Sequence, residues 1–262
     1  MKKFLGIFLF ISLTMILTVA LLPNLDIGQL REKSIDSLAA LSHKRKNQVL
    51  SVEKAIPPET KAFPKVPIVD RPIKWTSRRS ELAKEYAQIH YGMTIDTIIP
   101  KAVVVHWTAT ENGDSVYRFF YPEETSDPEY DGTGKLNVAS HFLVDRDGTI
   151  YRLTPETALN RHAIGLNWCS IGIENVGGTG NAQNLTEEQL QANLSLIRYL
   201  QDKYPTISYV LGHYQQDYGK KAGIWIEKLP DYYAIKPDPG PLFMNKLKAN
   251  LQDTDLKFFP IE

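Results

Sequence analysis

Read for the alternation of apolar and polar positions, the chain changes character near residue 75. Before that point, Phe4 to Leu22 form an unbroken uncharged run behind Lys2 and Lys3, which Pro23 ends. Residues 26–54 then show helical spacing, with Leu30, Ile35, Leu38 and Leu41 apolar among charges,. Five prolines, Pro57, Pro58, Pro64, Pro67 and Pro72, predict an extended spacer after it,.

After residue 75 short apolar runs alternate with helical patterns. "TSRRSELAKEYAQIHYGM" predicts a helix capped by Thr76 or Ser77, with Leu82, Tyr86 and Ile89 on one face and His90 near its C-terminal dipole,. "AVVV" at 102–105 predicts a buried strand, and 111–136 a short helix with a turn-rich loop,. "NVASHFLVDRDGTIYRL" alternates on both sides of Asp147-Gly148, the signal of a hairpin with a two-residue turn,. "CSIGIENVGG" and "TISYVLGHYQQ" read as strands, "LTEEQLQANLSLIRYLQDKY" as a helix with a capping box at Thr186 and Gln189, and "GPLFMNKLKANL" as a last helix,. Strands interleaved with helices predict an α/β layered domain over 75–262. Residues 1–23 are expected to be a signal peptide or membrane anchor, and 24–74 a helical stalk and linker.

Composition narrows the partner. Lys plus Arg and Asp plus Glu are both 30, so no basic field points to nucleic acid,. Cys169 is the only cysteine, which excludes an intrachain disulfide and a tetracysteine zinc cluster,. Any metal would rest on His, Asp and Glu. The run Phe4–Leu22 is longer than the ~7–15 residues of a cleaved signal's core and near the ~20 that span a bilayer,. It predicts export, with a retained anchor favoured over a cleaved signal.

Two histidines share a setting: His106 closes "VVV" and His213 follows "SYVLG", each where a core strand ends. A rigid strand end can hold a ligand in fixed geometry with its outer face open. Singly, either histidine reads as an ordinary structural residue. Asp238, between Pro237 and Pro239, is a third candidate, though the segment alone also reads as a turn with a capping aspartate,. Two imidazoles and one carboxylate are a catalytic zinc set that leaves a fourth position open. Glu174 interrupts the core pattern "SIGI", where an acid is costly without a task, and burial would tune it toward a general base,. Lys236 lies two residues before Asp238 and could donate to an oxyanion, although a surface lysine is the commoner reading,.

The segments "VVVHWTAT", "VASHFLVDRDGTIYRL", "RHAIGLNWCSIGIENVGG", "LGHYQQ" and "KPDPG" together resemble, in order and spacing, the zinc-dependent N-acetylmuramoyl-L-alanine amidases. These are the type-2 amidases related to peptidoglycan recognition proteins and phage lysozyme-type amidases. The resemblance covers roughly residues 98–245 and implies a mixed central β-sheet flanked by helices, with Zn2+ in an open cleft. It places the metal ligands on His106, His213 and Asp238, the base on Glu174 and the oxyanion donor on Lys236. His162, Trp107 and Asn167 are expected to bind substrate, with Trp225 and the tyrosines of "PDYYAI" as further walls. Where phage members carry a tyrosine this chain has Ser140, so catalysis should lean on Glu174. His141 is expected to be structural and Cys169 a buried thiol.

The implied reaction is hydrolysis of the amide between N-acetylmuramic acid and L-alanine, with peptidoglycan or muropeptides as partner. A non-catalytic peptidoglycan-binding module, or a hydrolase of another stem-peptide amide, are the competing readings. A purely structural zinc would need a fourth protein ligand, and none is at hand. The N-terminal run predicts work in the bacterial cell envelope, with the membrane as second partner.

Overall fold

A computed structural model describes residues 66–128 and 132–260. The chain divides into Met1–Ile56 and Pro57–Glu262, and all the described residues belong to the second unit. The expected signal or anchor, the stalk helix and most of the spacer lie outside the described residues. Among the described residues no helix is long and apolar enough to cross a membrane.

Seven strands among the described residues form one sheet: β1 (Ile68–Asp70), β2 (Ala102–Trp107), β3 (Phe142–Val144), β4 (Ile150–Arg152), β5 (Ser170–Asn175), β6 (Tyr209–Gly212) and β7 (Lys257–Phe258). Their order is β1-β4-β3-β5-β2-β6-β7. Only β3 and β4 pair antiparallel; the other neighbours are parallel. Among the described residues five α-helices accompany the sheet: α1 (Ser77–Tyr91), α2 (Gly113–Phe120), α3 (Glu187–Lys203), α4 (Tyr218–Lys221) and α5 (Pro241–Asn250). The expected mixed sheet with flanking helices is what the chain forms.

Parity along the central strands decides what faces where. Val103 and Val105 of β2 and Ile171 and Ile173 of β5 pack into one core with Leu196, Ile197 and Leu200 of α3 and Met244 and Leu247 of α5. Side chains alternate along a strand, so Ala102, Val104 and His106, with Gly172 and Glu174, share the opposite face. Ala102 and Val104 there meet Leu166, Cys169 and Leu211. Every residue of β2 is buried, as expected of a strand covered on both sides,.

Local signals explain the element ends. Thr76 caps α1 by accepting from the Arg78 amide, and Gly92 closes it in a left-handed conformation (φ 67°),. The Thr186–Gln189 capping box opens α3 as its sequence predicts,.

Three expectations need correction. Ile68–Asp70, read as part of an extended spacer, pairs with β4 as an edge strand. The hairpin does not use a two-residue turn: the Gly148 amide donates to Asp145 O, the Asp145 amide donates to Thr149 O, and only Gly148 has a positive φ (82°). A three-residue connection with one left-handed glycine has those bonds. His90 is more than a dipole contact. It is fully buried, its Nδ1 is 2.9 Å from Glu227 and its Nε2 2.9 Å from Thr133 O, because the 226–228 segment folds across the end of α1.

Glu156 ties the hairpin to α3. It is buried and accepts from Arg152 (3.0 Å), Tyr199 Oη (3.0 Å) and Tyr204 Oη (2.9 Å), with Lys203 Nζ at 3.0 Å. Burial opposes its charge, but Lys203 and these hydrogen bonds outweigh burial and hold the carboxyl below its ordinary value. Glu156→Gln is therefore expected to lose about 1–3 kcal/mol at neutral pH, measured by denaturant unfolding. A depressed folded pKa adds stability above the unfolded value of about 4.3 and loses it as pH falls. The gap between variant and wild type should accordingly close on acidification.

Candidate active site

The parallel register of β2 with β5 sets His106 directly opposite Glu174, and β6 on the other side of β2 ends at Gly212, one residue before His213. Asp238 arrives from the segment ahead of α5, where the Tyr214 amide donates to Asp238 O (2.9 Å). That approach depends on Gly212. A β-carbon there would lie 2.8 Å from Pro239 Cδ and 2.7 Å from Tyr214, so a side chain would push the Asp238 loop off the strand end.

The three side chains converge. His106 Nδ1 is 3.0 Å from His213 Nδ1 and 3.1 Å from Asp238 Oδ2, and His213 Nδ1 is 3.2 Å from the same oxygen. All three residues are buried. Atoms that each offer a lone pair repel at such distances unless a proton or cation lies among them. Burial, and then the charge of His213, holds the His106 imidazole down to about 4. Burial opposes the charge of Asp238, but the two histidines that face it outweigh burial and hold its carboxyl well below the ordinary range. A carboxylate and two imidazoles in this arrangement match the donor set of a divalent cation, with room left on the cleft side,.

The triad forms the floor of a cleft of about 690 Å³, within the usual range for small-ligand sites,. Glu174 lines it too, and its Oε2 is buried without a hydrogen-bond partner. Burial, with the Asp238 charge added, holds this carboxyl well above the ordinary range, and Lys236 opposes both. Lys236 is exposed and lines the cleft. An adjoining lobe of about 330 Å³ is lined by Arg161, Asn167, Tyr232 and Tyr233.

The expected substrate residues fare differently. Trp107 is mostly buried in the cleft wall, and His162 lines both lobes. Asn167 is 1% exposed, and its amide is engaged inside the protein: Oδ1 accepts from the amides of His162 (2.8 Å) and Ala163 (2.7 Å), and Nδ2 donates to Tyr86 Oη (3.1 Å). It braces the loop that carries His162. Trp225 packs over Gly165 in a core cluster and lines neither lobe. Ser140, in the position of the phage tyrosine, is buried beside Gly172 and is no part of the cleft wall. His141 is structural as expected: its Nδ1 accepts from the Gly172 amide (3.0 Å) and its Nε2 donates to Ala158 O (2.8 Å). Cys169 is buried, which pushes its thiol up to about 12.

Sequence reasoning missed three supports. Asn175 Nδ2 donates to His106 O (3.0 Å), Asn193 Nδ2 donates to Asn175 Oδ1 (2.7 Å), and Gln189 Nε2 donates to Val144 O (3.2 Å) and Val176 O (2.9 Å). The available signal was Gln189 and Asn193 on the apolar stripe of α3, where a polar residue needs a partner,. Arg161, buried under both lobes, was missed as well; it donates to Leu136 O (3.1 Å) and Tyr232 Oη (2.8 Å).

The family described as N-acetylmuramoyl-L-alanine amidase matches residues 96–241, more than half of the chain and all of the site. The protein belongs to this family. Among curated relatives, the endolysin of Enterobacteria phage T3 is 34% identical over 112 residues, which is 40% of this chain and 68% of the endolysin. The endolysin of Escherichia phage T7 is 34% identical over 111 residues, 39% and 68% respectively. A solved endolysin amidase, LysCS from Clostridium intestinale, is 23% identical and covers 75% of this chain and 99% of its own, with a TM-score of 0.44.

The convergence predicts a metal-dependent gain in stability. Adding a divalent cation to metal-free protein should raise its melting temperature in calorimetry. At about 100 times the Kd the gain is about 2.7 kcal/mol. Asp238→Ala should fold and lose most of that gain.

Proposed function

We propose that the protein hydrolyses the amide between the lactyl group of N-acetylmuramic acid and the L-alanine of the stem peptide, with Zn2+ held by His106, His213 and Asp238. The observation that carries this reading is the register pairing of His106 with Glu174 above a converged donor triad, in a cleft large enough for part of a muropeptide. Membership of an amidase family supports the choice of bond, and the combined peptide and sugar chemistry of such a substrate fits a cleft with apolar and polar walls.

Zinc, when bound, supplies Lewis-acid polarisation of the scissile carbonyl. Glu174 takes the proton from the attacking water and passes it to the departing amide nitrogen. Its Oε2 has no protein hydrogen-bond partner competing for that proton, and its burial favours the protonated form it must reach midway,. Lys236 places an ammonium on the rim beside the triad, where negative charge develops on the carbonyl oxygen,. The substrate is peptidoglycan or muropeptides released from it. The site of action is the cell wall.

The test is digestion of intact peptidoglycan, with released stem peptides followed by mass spectrometry. Wild type should free peptides with an L-alanine N-terminus, and Glu174→Gln should keep its zinc while losing about 10²–10⁴ in rate. Zinc uptake without release from wild type would leave a recognition module, and release at a different bond would replace the substrate. Lys236→Met should lower kcat by about 10²-fold with KM little changed in steady-state assays.

A further inference from the structure

His162 has both ring nitrogens engaged by the protein, so it offers a substrate only its ring. The strand beneath is shaped to receive that ring. A β-carbon at Gly172 would come within 2.8 Å of His162 Nδ1 and 2.9 Å of its Cγ, a clash no side chain could relieve without displacing the imidazole. From above, Asn167 holds the backbone of the loop through the amides of His162 and Ala163. The ring is thus fixed from the sheet and from the chain.

The two ring contacts have a direction. His162 Nε2 faces the Ser170 carbonyl oxygen at 3.2 Å, and its Nδ1 faces His106 Nε2 at 3.1 Å. Ser170 Oγ, 3.4 Å from Nε2, donates instead to Leu166 O at 2.8 Å. A carbonyl oxygen can only accept, so the hydrogen of His162 is on Nε2. A neutral imidazole carries one such hydrogen, and Nδ1 is therefore a bare acceptor. The atom facing it must donate, which puts the hydrogen of His106 on its Nε2. With its one hydrogen on Nε2, a neutral His106 has a free lone pair on Nδ1, the atom that faces His213 and the accept-only carboxylate of Asp238, and a cation among the three satisfies all of them,.

We infer that His162 is a positioning residue: through the relay Ser170 carbonyl, His162, His106 it fixes the tautomer and the ring angle of His106 and so presents Nδ1 as a metal donor. This rests on the reading of His106, His213 and Asp238 as a metal site. The rings of His106 and His162 meet edge to face, 5.3 Å apart at 86°, so the relay also restricts rotation of His106 about its side-chain bonds. Most ligating histidines have such an outer partner, commonly a carboxylate, a carbonyl or water, and here a second imidazole carries the link to the carbonyl.

Two measurements on the full-length protein test this. The first is zinc affinity by competition with a chromophoric chelator. His162→Phe keeps a ring in the Gly172 cradle but has no acceptor, and should bind zinc about 10–100-fold more weakly than wild type. His162→Asn places an acceptor oxygen where Nδ1 was, and should recover most of the loss. The second needs no variant: long-range ¹H–¹⁵N correlation of the zinc-loaded wild type should show His106 and His162 both as Nε2–H tautomers. Zinc binding by His162→Phe equal to wild type, or a His106 with its hydrogen on Nδ1, would overturn the inference and leave the metal site standing. Failure of wild type itself to bind zinc would overturn the metal reading, and this inference with it.

Discussion

The parallel register between β2 and β5 is the constraint on which the rest depends. It sets His106 opposite Glu174 and, one strand over, β6 stops at the residue before His213. Parallel strands run with their C-terminal ends together, so three central strands deliver their last side chains to one edge of the sheet. A slip of one residue in β2 would turn His106 into the α3 core and bring Val105 into the cleft. The buried valines and isoleucines on the other face therefore hold the chemistry in place, because they cannot exchange faces without exposing the core.

Convergence of this kind carries an electrostatic cost, and the surroundings are arranged to bear it. Three lone-pair donors within 3.2 Å of one another, all buried, are stable only with a cation or a shared proton,. The backbone of β2 is meanwhile held by an amide ladder, Asn193 to Asn175 to the His106 carbonyl, that has no role at the reacting centre. Glycines at 172 and 212 permit two close approaches, one by a histidine ring and one by the proline after Asp238. The cleft's surrounding segments are tied down as well. Trp168 Nε1 donates to Ile224 O (3.1 Å), the Ile226 amide donates to Gly165 O (3.0 Å) and Arg161 donates to Tyr232 Oη (2.8 Å), so the 214–235 stretch is bound to the body at several points.

Much of this was legible in the residues. Strand and helix periods along 77–250 matched the elements formed, and the capping box of α3 formed where its residues predict it. The histidines after "VVV" and "SYVLG" stood out because a polar, ligating side chain follows an apolar run at a strand end. What stayed hidden were contacts between segments far apart in the chain. Asn167 lines the smaller lobe but has its amide engaged in bracing a loop, and Trp225, partly buried, packs against a core cluster, and neither direction can be read from a linear pattern. Edge strand β1 escaped because three residues between prolines give no period to read.

By itself the sequence determined the layered α/β class, the ends of the helices and the identities of the chemically capable residues, since these follow from local spacing, capping and the cost of burying charge. Tertiary structure alone decided which face each strand turned to the cleft, which histidine nitrogens meet and which orient, and that His162 stands behind His106. Those outcomes depend on strand register and on two close approaches over glycine, and register is a relation between strands that no single segment contains.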